Sequence, residues 1–329
     1  MPSILKKTFC LAVIFLLCSN AKGQMVGGQS EAEEGTMKFL VRLEITRMLE
    51  TDGEDFSASI CAGTILDLQL NWVLTAGHCL ADKVELVEGV PTTTAFKKVR
   101  ITAGVKNTDT VENKQIREVN YTDGRVFIHP NYDKYASNSY DAALIKLDQP
   151  FDQSPTVNHV TVLRIDTMSV DFHQMIKRGM SCVFQSWGAN ALVPDGDNWM
   201  FGYDPPIANP ADAKIAMQGR MMLYKHDFVN GRFAFSGGGR RPPTYAPGDS
   251  GAPVLCAQGQ QDPLYAGKSE QGVMFFVFSD GFCYKADVEL REEFKNEPDC
   301  GAGTDVRILH KWILKTFSKN QPLPQYIPL

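Results

Sequence analysis

The segment spanning residues 247–253 reads Pro-Gly-Asp-Ser-Gly-Ala-Pro and places a serine among glycines. The Ser250 hydroxyl is a poor nucleophile until a base accepts its proton, so covalent catalysis needs a second residue. The flanking glycines allow a substrate to approach closely and permit backbone angles that other residues avoid. The amides of Gly248 and Ser250 are then able to converge on a developing oxyanion. Taken alone, the segment is also compatible with an ordinary Gly/Asp/Ser turn.

A candidate base lies in residues 75–79, which read Thr-Ala-Gly-His-Cys and follow a strand-like apolar run. An imidazole has an ordinary pKa near neutrality, so it can take a proton and return it within one catalytic cycle. Cys79, directly after His78, is a candidate to pin this turn. An ordinary hydrogen-bonded histidine is the alternative when His78 is considered alone.

A candidate partner for the imidazole is Asp141, which opens the apolar run 142–147 at the boundary between a loop and the core. A carboxylate there can hold an imidazole in one tautomer and stabilise its charged form. A turn-capping aspartate is the alternative. A second histidine, His129, precedes Pro130, and we predict that its role is structural rather than catalytic.

The elements that must position these residues are short strands. Clusters of Gly, Pro, Asn and Asp separate apolar runs, a pattern typical of an all-β sandwich or barrel. The predicted strands are residues 39–45, 61–66, 72–75, 99–102, 142–147, 182–186 and 273–278.

One helix is predicted near the end of the chain. Leu309, Trp312, Ile313 and Phe317 recur at helical spacing, and Asp305 is placed to cap the first turn. We predict that this apolar stripe docks on the β-core.

Three further segments read as loops. Residues 189–212 and 236–248 are rich in Pro and Gly, which argues against central strands, and residues 287–299 are charged. Each is either an inert surface insertion or a contact for substrate.

Composition limits the class of protein. The chain has 329 residues, of which 43% are hydrophobic, so it is long enough for one large or two ordinary domains and is not wholly disordered. Its net charge of −5 argues against a nucleic-acid partner bound through phosphate neutralisation.

The N-terminal residues predict export. Lys6 and Lys7 precede an apolar stretch over 9–18, and small residues follow, as in a secretory signal peptide over residues 1–23. An N-terminal membrane anchor or a buried strand is the alternative. No later run is apolar enough to span a bilayer, so we expect a secreted, extracellular protein without a membrane partner.

Cysteine usage agrees with export. Beyond residue 23 an even number of cysteines suggests three disulfides, although fifteen connectivities are open. These cysteines are Cys61, Cys79, Cys182, Cys256, Cys283 and Cys300. Neither Cys-x-x-Cys nor His-Glu-x-x-His occurs, so no metal site is predicted. Asn120-Tyr121-Thr122 is a glycosylation sequon, which we expect at the surface.

Together these segments resemble the chymotrypsin-like (trypsin-family) serine proteases over roughly residues 25–318, leaving a Pro-rich tail over 319–329. The order His, Asp, Ser is that of the family. The matching segments are residues 25–28 (Met-Val-Gly-Gly), 75–79, 141–147, 186–188 (Ser-Trp-Gly) and 248–253, together with the terminal helix that contains Trp312 and Ile313.

The resemblance implies two six-stranded antiparallel β-barrels, with the active site between them, and a C-terminal α-helix. It implies that Ser250 is the nucleophile, His78 the general base and Asp141 the residue that orients His78. The amides of Gly248 and Ser250 would form the oxyanion hole, and neither a metal nor an organic cofactor is needed.

The resemblance also implies disulfides and departures from the family pattern. It pairs Cys61 with Cys79 and Cys182 with Cys256, which leaves Cys283 and Cys300 as a third pair. The family has a cysteine four residues before the nucleophile, where this chain has Ala246, so the disulfide of the specificity pocket is missing. The family has a further disulfide in the region between Trp187 and Ser250, and this chain has no cysteines in that region.

Activation and specificity follow from the same resemblance. The freed amine of Met25 is expected to pair with the carboxylate of Asp249. Because Gln24 precedes Met25, trypsin-type cleavage is not expected there, and signal removal or trimming would expose it. Counting back from the nucleophile puts Thr244 at the pocket floor, so we expect cleavage after apolar or uncharged residues.

These features predict a secreted serine endopeptidase whose partners are protein or peptide substrates and protein inhibitors of proteases. The alternative is a secreted homologue that keeps the fold, lacks useful activity and acts as a binding protein. An esterase on an α/β-hydrolase fold is excluded, because Ser250 lacks a Gly-x-Ser-x-Gly elbow and the triad order differs.

Overall fold

The computed structural model describes most of the chain from residue 30 to residue 320. The described residues are 30–33, 35–49, 55–67, 69, 71–87, 90–132, 140–158, 180–195, 198–203, 206–207, 209–227, 232–236, 246–258, 273–278 and 300–320. The predicted signal peptide, Met25, Thr244 and Cys283 lie outside them, as do residues 237–245, 287–299 and 321–329.

The described elements are strands in two main antiparallel sheets, with few helices. The strands are β1 (Ser30–Glu31), β2 (Leu40–Leu49), β3 (Asp55–Asp67), β4 (Trp72–Thr75), β5 (Lys83–Val87), β6 (Val90–Ala103), β7 (Gln115–Asn120), β8 (Val126–Ile128), β9 (Ala143–Lys146), β10 (Met180–Ser186), β11 (Ala191–Asp195), β12 (Asn198–Gly202), β13 (Met217–Asp227), β14 (Arg232–Ser236), β15 (Pro253–Gln258), β16 (Val273–Phe278) and β17 (Cys300–Asp305). The α-helices are α1 (Gly77–Leu80) and α2 (Val306–Asn320), and 3-10 turns cover Tyr121–Asp123 and Pro210–Asp212.

The first sheet has the order β5-β6-β2-β3-β4-β9-β8, with β7 paired to β6. Strand β2 alternates, and its Val41, Leu43 and Ile45 point into the core of this sheet. Strand β4 is buried on both faces: Val73 joins this core, whereas Trp72 and Leu74 join the core of the second sheet. Burial on both faces explains why residues 72–75 form a continuous apolar run.

The second sheet closes on itself. Strands β13, β10, β15, β16, β17 and β14 follow one another, and β14 pairs back with β13, which makes a six-stranded antiparallel barrel. Strand β1 pairs with the first two residues of β13, outside the closed barrel. The chain therefore has the predicted all-β, trypsin-like fold. The first sheet differs from the six-stranded barrel that the resemblance implies, because it has eight strands and its described pairings do not close it.

The C-terminal helix α2 packs the second barrel against the first sheet. Its Leu309, Ile313 and Phe317 are fully buried, and the Phe317 ring stacks on Trp72 with centroids 4.8 Å apart. The helix starts directly after Asp305, as predicted, and continues to Asn320, so Lys319 and Asn320 of the segment predicted as a tail are helical. Among the residues that the structure describes, no helix is long and apolar enough to cross a bilayer.

The segment 189–212 differs from its prediction as a loop. It contains the hairpin β11–β12, a separate two-stranded sheet outside both main sheets. Pro194 lies in β11, opposite Trp199. Each strand of such a hairpin has a free edge, where a residue without an N–H removes no ladder hydrogen bond. The segment is thus not a central strand, but it is more regular than its proline content suggests.

Candidate active site

Strand register brings His78 and Asp141 together. Strands β4 and β9 are antiparallel neighbours, and Thr75 at the end of β4 lies opposite Ala143 at the start of β9. Residues just after Thr75 and just before Ala143 therefore leave the sheet at the same place. The chain after β4 turns into the short helix α1, which carries His78, while Asp141 lies two residues ahead of β9.

The turn that carries Ser250 presses against the first sheet. The Ser250 carbonyl accepts a hydrogen bond from the Ala62 N–H at 2.7 Å, and the Ala62 carbonyl accepts one from Thr75 Oγ1 at 2.7 Å. Gly251 has φ +80°, and a Cβ there would lie 2.2 Å from both Ala62 O and Thr75 Oγ1. Only glycine fits this contact, which seats the serine against strands β3 and β4.

The three side chains form a continuous hydrogen-bonded chain. His78 Nδ1 lies 2.6 Å from Asp141 Oδ2, and His78 Nε2 lies 2.7 Å from Ser250 Oγ. The His78 main-chain N–H also donates to Asp141 Oδ1 at 2.8 Å. A carboxylate accepts from Nδ1–H, so the arrangement leaves Nε2 free to accept the serine proton. Asp141 is fully buried, whereas the His78 side chain is 25% exposed and accessible to a substrate.

The peptide between Pro247 and Gly248 is held by a hydrogen bond to its carbonyl. Its carbonyl accepts a hydrogen bond from the Ala189 N–H at 2.9 Å. The N–H and C=O of a trans peptide point in opposite directions, so the Gly248 N–H points away from Ala189. Gly248 has φ +100°, and a Cβ there would lie 2.9 Å from Gly188 Cα and 3.0 Å from Ile60 Cδ1, a space that suits only glycine.

Asp249 is a fully buried carboxylate behind this turn. Its Oδ1 accepts from the Gly188 N–H at 3.1 Å and its Oδ2 from the Ala246 N–H at 2.9 Å. Burial raises the pKa of Asp249 to about 7, although hydrogen bonds from Ala246, Ser186 and Gly188 act in the opposite direction. Burial, aided by the charge of Asp249, also raises the pKa of Tyr203. The predicted partner of Asp249, Met25, lies outside the described residues.

Two predicted disulfides are present. Cys61–Cys79 links β3 to α1, directly beside His78, and Cys182–Cys256 links β10 to β15. The sulfur atoms of Cys61 and Cys79 lie within 4.8 Å of a ring nitrogen of His78. Both sulfurs are committed to the disulfide and so are not thiolate ligands for a metal.

Three other residues that the sequence analysis singled out lie outside the triad. Asn120 is exposed at the end of β7, as expected for a sequon at the surface. His129 is buried, stacks on Tyr140 with centroids 4.7 Å apart and meets the Trp312 ring edge-on. Burial lowers the pKa of His129 to about 4, so this imidazole is neutral and structural. Ala246, which replaces the family cysteine, is buried.

Sequence reasoning missed the groups that hold the site from behind. Arg47 is almost fully buried and donates to the carbonyls of Cys79 and Ala81 at the end of α1. The sequence does contain an indication of this role. Arg47 is separated from Leu43 and Ile45 by even numbers of residues, so its side chain is expected on the same, inward-facing side of the strand. A charged residue at an inward position needs buried partners.

Comparisons with known proteins agree with this geometry. The family model described as Trypsin matches residues 26–280. The chain is similar to serine proteinase stubble of Drosophila melanogaster, at 23% identity over 194 residues, 59% of this chain and 21% of that protein. It is also similar to chymase of Canis lupus familiaris (24% identity, 78% of this chain and 86% of the relative) and to chymase of Rattus norvegicus (26%, 75% and 83%).

The chain thus spans about a fifth of the length of the Drosophila protein but most of each chymase. The family match covers more than half of the chain, including the segments that carry His78, Asp141 and Ser250. The chain therefore belongs to the trypsin family of chymotrypsin-like serine proteases.

Proposed function

We propose that this serine endopeptidase cleaves peptide bonds through an acyl-enzyme formed on Ser250. The observation that carries the proposal is the unbroken chain from Ser250 Oγ through the His78 imidazole to Asp141, with links of 2.7 Å and 2.6 Å. Nucleophile and base within hydrogen-bond reach, with the base oriented by a third group, define an activated serine.

The residues of the site have defined roles in this mechanism. Ser250 Oγ attacks the scissile carbonyl carbon while His78 Nε2 takes its proton, and the Gly248 and Ser250 amides stabilise the oxyanion. His78 then gives the proton to the leaving amine. A water molecule attacks the acyl-enzyme with His78 again as base, which releases the acid product and restores Ser250. Asp141 stays ionised and stabilises the imidazolium.

Substrates are proposed to be proteins or peptides cleaved after apolar or uncharged residues. The basis is Thr244 at the counted position of the pocket floor, with Arg240 and Arg241 just upstream. Burying a Lys or Arg side chain without a carboxylate partner costs several kcal/mol, whereas an apolar side chain gains on burial. Kinetics on matched peptides that differ only at that residue test this. A clear preference for Arg over Leu or Phe would show that an acidic group reaches the pocket.

We also propose that the protein is secreted and glycosylated at Asn120. Its two disulfides support an oxidising compartment.

An ion pair between the amine of Met25 and the carboxylate of Asp249 completes the proposal. The Asp249 carboxylate is buried and accepts hydrogen bonds from neutral main-chain amides, and a buried charge of this kind favours a cationic partner. N-terminal sequencing of active secreted protein tests the pairing, and a start well upstream of Met25 would contradict it.

A fluorophosphonate probe tests the mechanism directly. The proposal predicts stoichiometric labelling of Ser250 in processed protein, located by peptide mapping. The Ser250→Ala variant should not label, and Ser181→Ala, at a serine in β10, is the matched control that should label normally. Persistent failure of the parent protein to label would favour the alternative of an inactive homologue that acts by binding.

A further inference from the structure

Arg47 is a buried cation on strand β2. The residue is only 1% exposed, although it lies close to the end of a strand whose neighbouring inward residues, Leu43 and Ile45, are apolar. A guanidinium removed from water must be hydrogen-bonded to be tolerated. Its position therefore indicates a specific set of acceptors.

Those acceptors are the carbonyls that end helix α1. Arg47 Nη2 donates to Cys79 O at 2.8 Å, and Arg47 Nη1 donates to Ala81 O at 3.1 Å. The last carbonyls of a helix have no partner within the helix, so a cationic side chain is a suitable cap. One planar side chain thus holds two main-chain groups on the segment that immediately follows His78.

His78 is consequently held from several directions. Its main-chain N–H donates to Asp141 Oδ1 at 2.8 Å, and the Cys61–Cys79 disulfide fixes the next residue. Arg47 fixes the carbonyl of that same residue and that of Ala81. A change of carbonyl orientation at Cys79 would rotate α1 and move the imidazole relative to Ser250.

We propose that Arg47 is a positioning residue for the general base, acting through the main chain of residues 79–81. The inference rests on the proposed function, because it assigns the role through His78. Rates of catalysed steps are sensitive to small displacements of a catalytic group, even when the displaced group still binds its partners. Arg47 does not touch the substrate, so substrate affinity should not depend on it.

The test compares Arg47→Met, Arg47→Lys and Arg117→Met. Arg117 is a matched control, because it lies on β7 of the first sheet and also donates to main-chain carbonyls, those of Gln149 and Pro150 in the exposed loop after β9. With rates normalised to active sites titrated by a fluorophosphonate, Arg47→Met should lower kcat roughly 10- to 100-fold with KM nearly unchanged. Arg47→Lys keeps the charge and should recover part of this loss, and Arg117→Met should match the parent.

The outcomes separate the two proposals. A parent protein without activity defeats the proposed function, but the NMR signal of the proton between His78 Nδ1 and Asp141 Oδ2 still reports the position of the imidazole. That signal should shift or disappear in Arg47→Met and persist in Arg117→Met. An active parent together with a folded Arg47→Met of unchanged kcat and unchanged signal overturns the inference. If Arg47→Met does not fold, unchanged values in Arg47→Lys overturn it.

Discussion

At the scale of single residues, Asp141 and Asp249 are both fully buried carboxylates with different partners. Both oxygens of Asp141 accept from His78, one from the ring and one from the main chain. The oxygens of Asp249 accept from the main-chain amides of Gly188 and Ala246. The first carboxylate is therefore hydrogen-bonded to the imidazole that gains a proton in the proposed mechanism, whereas the second holds the turn that carries Ser250.

Single replacement of Ser250, His78 or Asp141 should abolish most activity without unfolding the protein. We expect Ser250→Ala or His78→Ala to lower kcat by roughly 10⁴- to 10⁶-fold, and Asp141→Asn by about 10⁴-fold, because the three groups act as a unit. Combining Ser250→Ala with His78→Ala should add little. Peptide hydrolysis and thermal unfolding measure the two effects. Near-normal hydrolysis by Ser250→Ala would defeat the mechanism.

Asp249 should make stability depend on pH. Its native pKa of about 7 lies above the ordinary value of 3.8, so the native state binds a proton that the unfolded state has lost. Its contribution to stability is fully present below pH 4 and is lost as the pH rises through 7, by at most roughly 4 kcal/mol. In protein with an acetylated N-terminus, where no α-amine can pair with Asp249, the free energy of unfolding relative to Asp249→Asn should therefore fall between these pH values.

A flat difference in the acetylated protein would contradict a raised pKa of the Asp249 carboxyl. With a free α-amine at Met25, a flat difference is the result that the proposed ion pair predicts, because a cation lowers the carboxyl pKa. Comparing the two titrations therefore tests the ion pair. Acetylation should restore the fall if the ion pair forms, and should change nothing if it does not.

At the scale of elements, the site depends on how closely two segments of the backbone approach. Strands β4 and β9 determine where His78 and Asp141 leave the first sheet. The Ser250 carbonyl accepts a hydrogen bond from the Ala62 N–H on β3, and the next residue, Gly251, lies directly against Ala62 O and Thr75 Oγ1. The absence of a side chain at Gly251 is what permits this approach.

Gly251→Ala should therefore displace the nucleophile. A Cβ at 2.2 Å from Ala62 O and Thr75 Oγ1 forces the turn away from β3, and the positive φ adds strain, so we expect a loss of about 3 kcal/mol in stability. Activity should fall by at least about 10-fold. Gly124→Ala is the matched control, since Gly124 also has positive φ, +63°, but open space around its Cβ position.

The Gly124→Ala control should cost only about 1–2 kcal/mol and leave kcat unchanged. Denaturant unfolding and peptide hydrolysis on both variants provide the measurements. Equal effects of the two substitutions would show that backbone strain alone matters and that the contact at Gly251 does not.

At the scale of the whole molecule, helix α2 follows the last strand of the barrel, β17, and packs against the first sheet. Phe317 stacks on Trp72, and Lys146 Nζ on β9 donates to Asn320 O at 2.6 Å. Trp72 and Leu74 share one core cluster with Phe184 and Ile313. The first sheet and the barrel should consequently unfold together rather than in sequence.

Phe317→Ala should lower the free energy of unfolding by roughly 3–5 kcal/mol, because it leaves a cavity beside Trp72. The unfolding transition should remain single, with tryptophan fluorescence and far-UV circular dichroism changing together. Lys315→Ala, on the exposed side of the same helix, should cost less than about 0.5 kcal/mol. Two separate transitions in the parent protein would contradict coupling through α2.

Local patterns were sufficient to predict much of the fold. Strands 72–75 and 273–278 were predicted with the observed bounds, because each is a short apolar run between turn residues. The helix followed from its apolar spacing. The three segments with His78, Asp141 and Ser250, and the two disulfides, followed from the family resemblance rather than from any single segment.

Other features depend on partners far away in the chain. Strands β13 and β14 were not predicted, because their own residues carry no clear alternation and pairing with β10 and β17 decides their conformation. His78 meets Asp141 across 63 residues and Ser250 across 172, distances in sequence that no local pattern encodes. The role of Arg47 could not be predicted for the same reason, because its partners, the carbonyls of Cys79 and Ala81, are distant in the sequence. Residue types and spacing indicate which groups can do chemistry, whereas strand register and burial decide which of them meet.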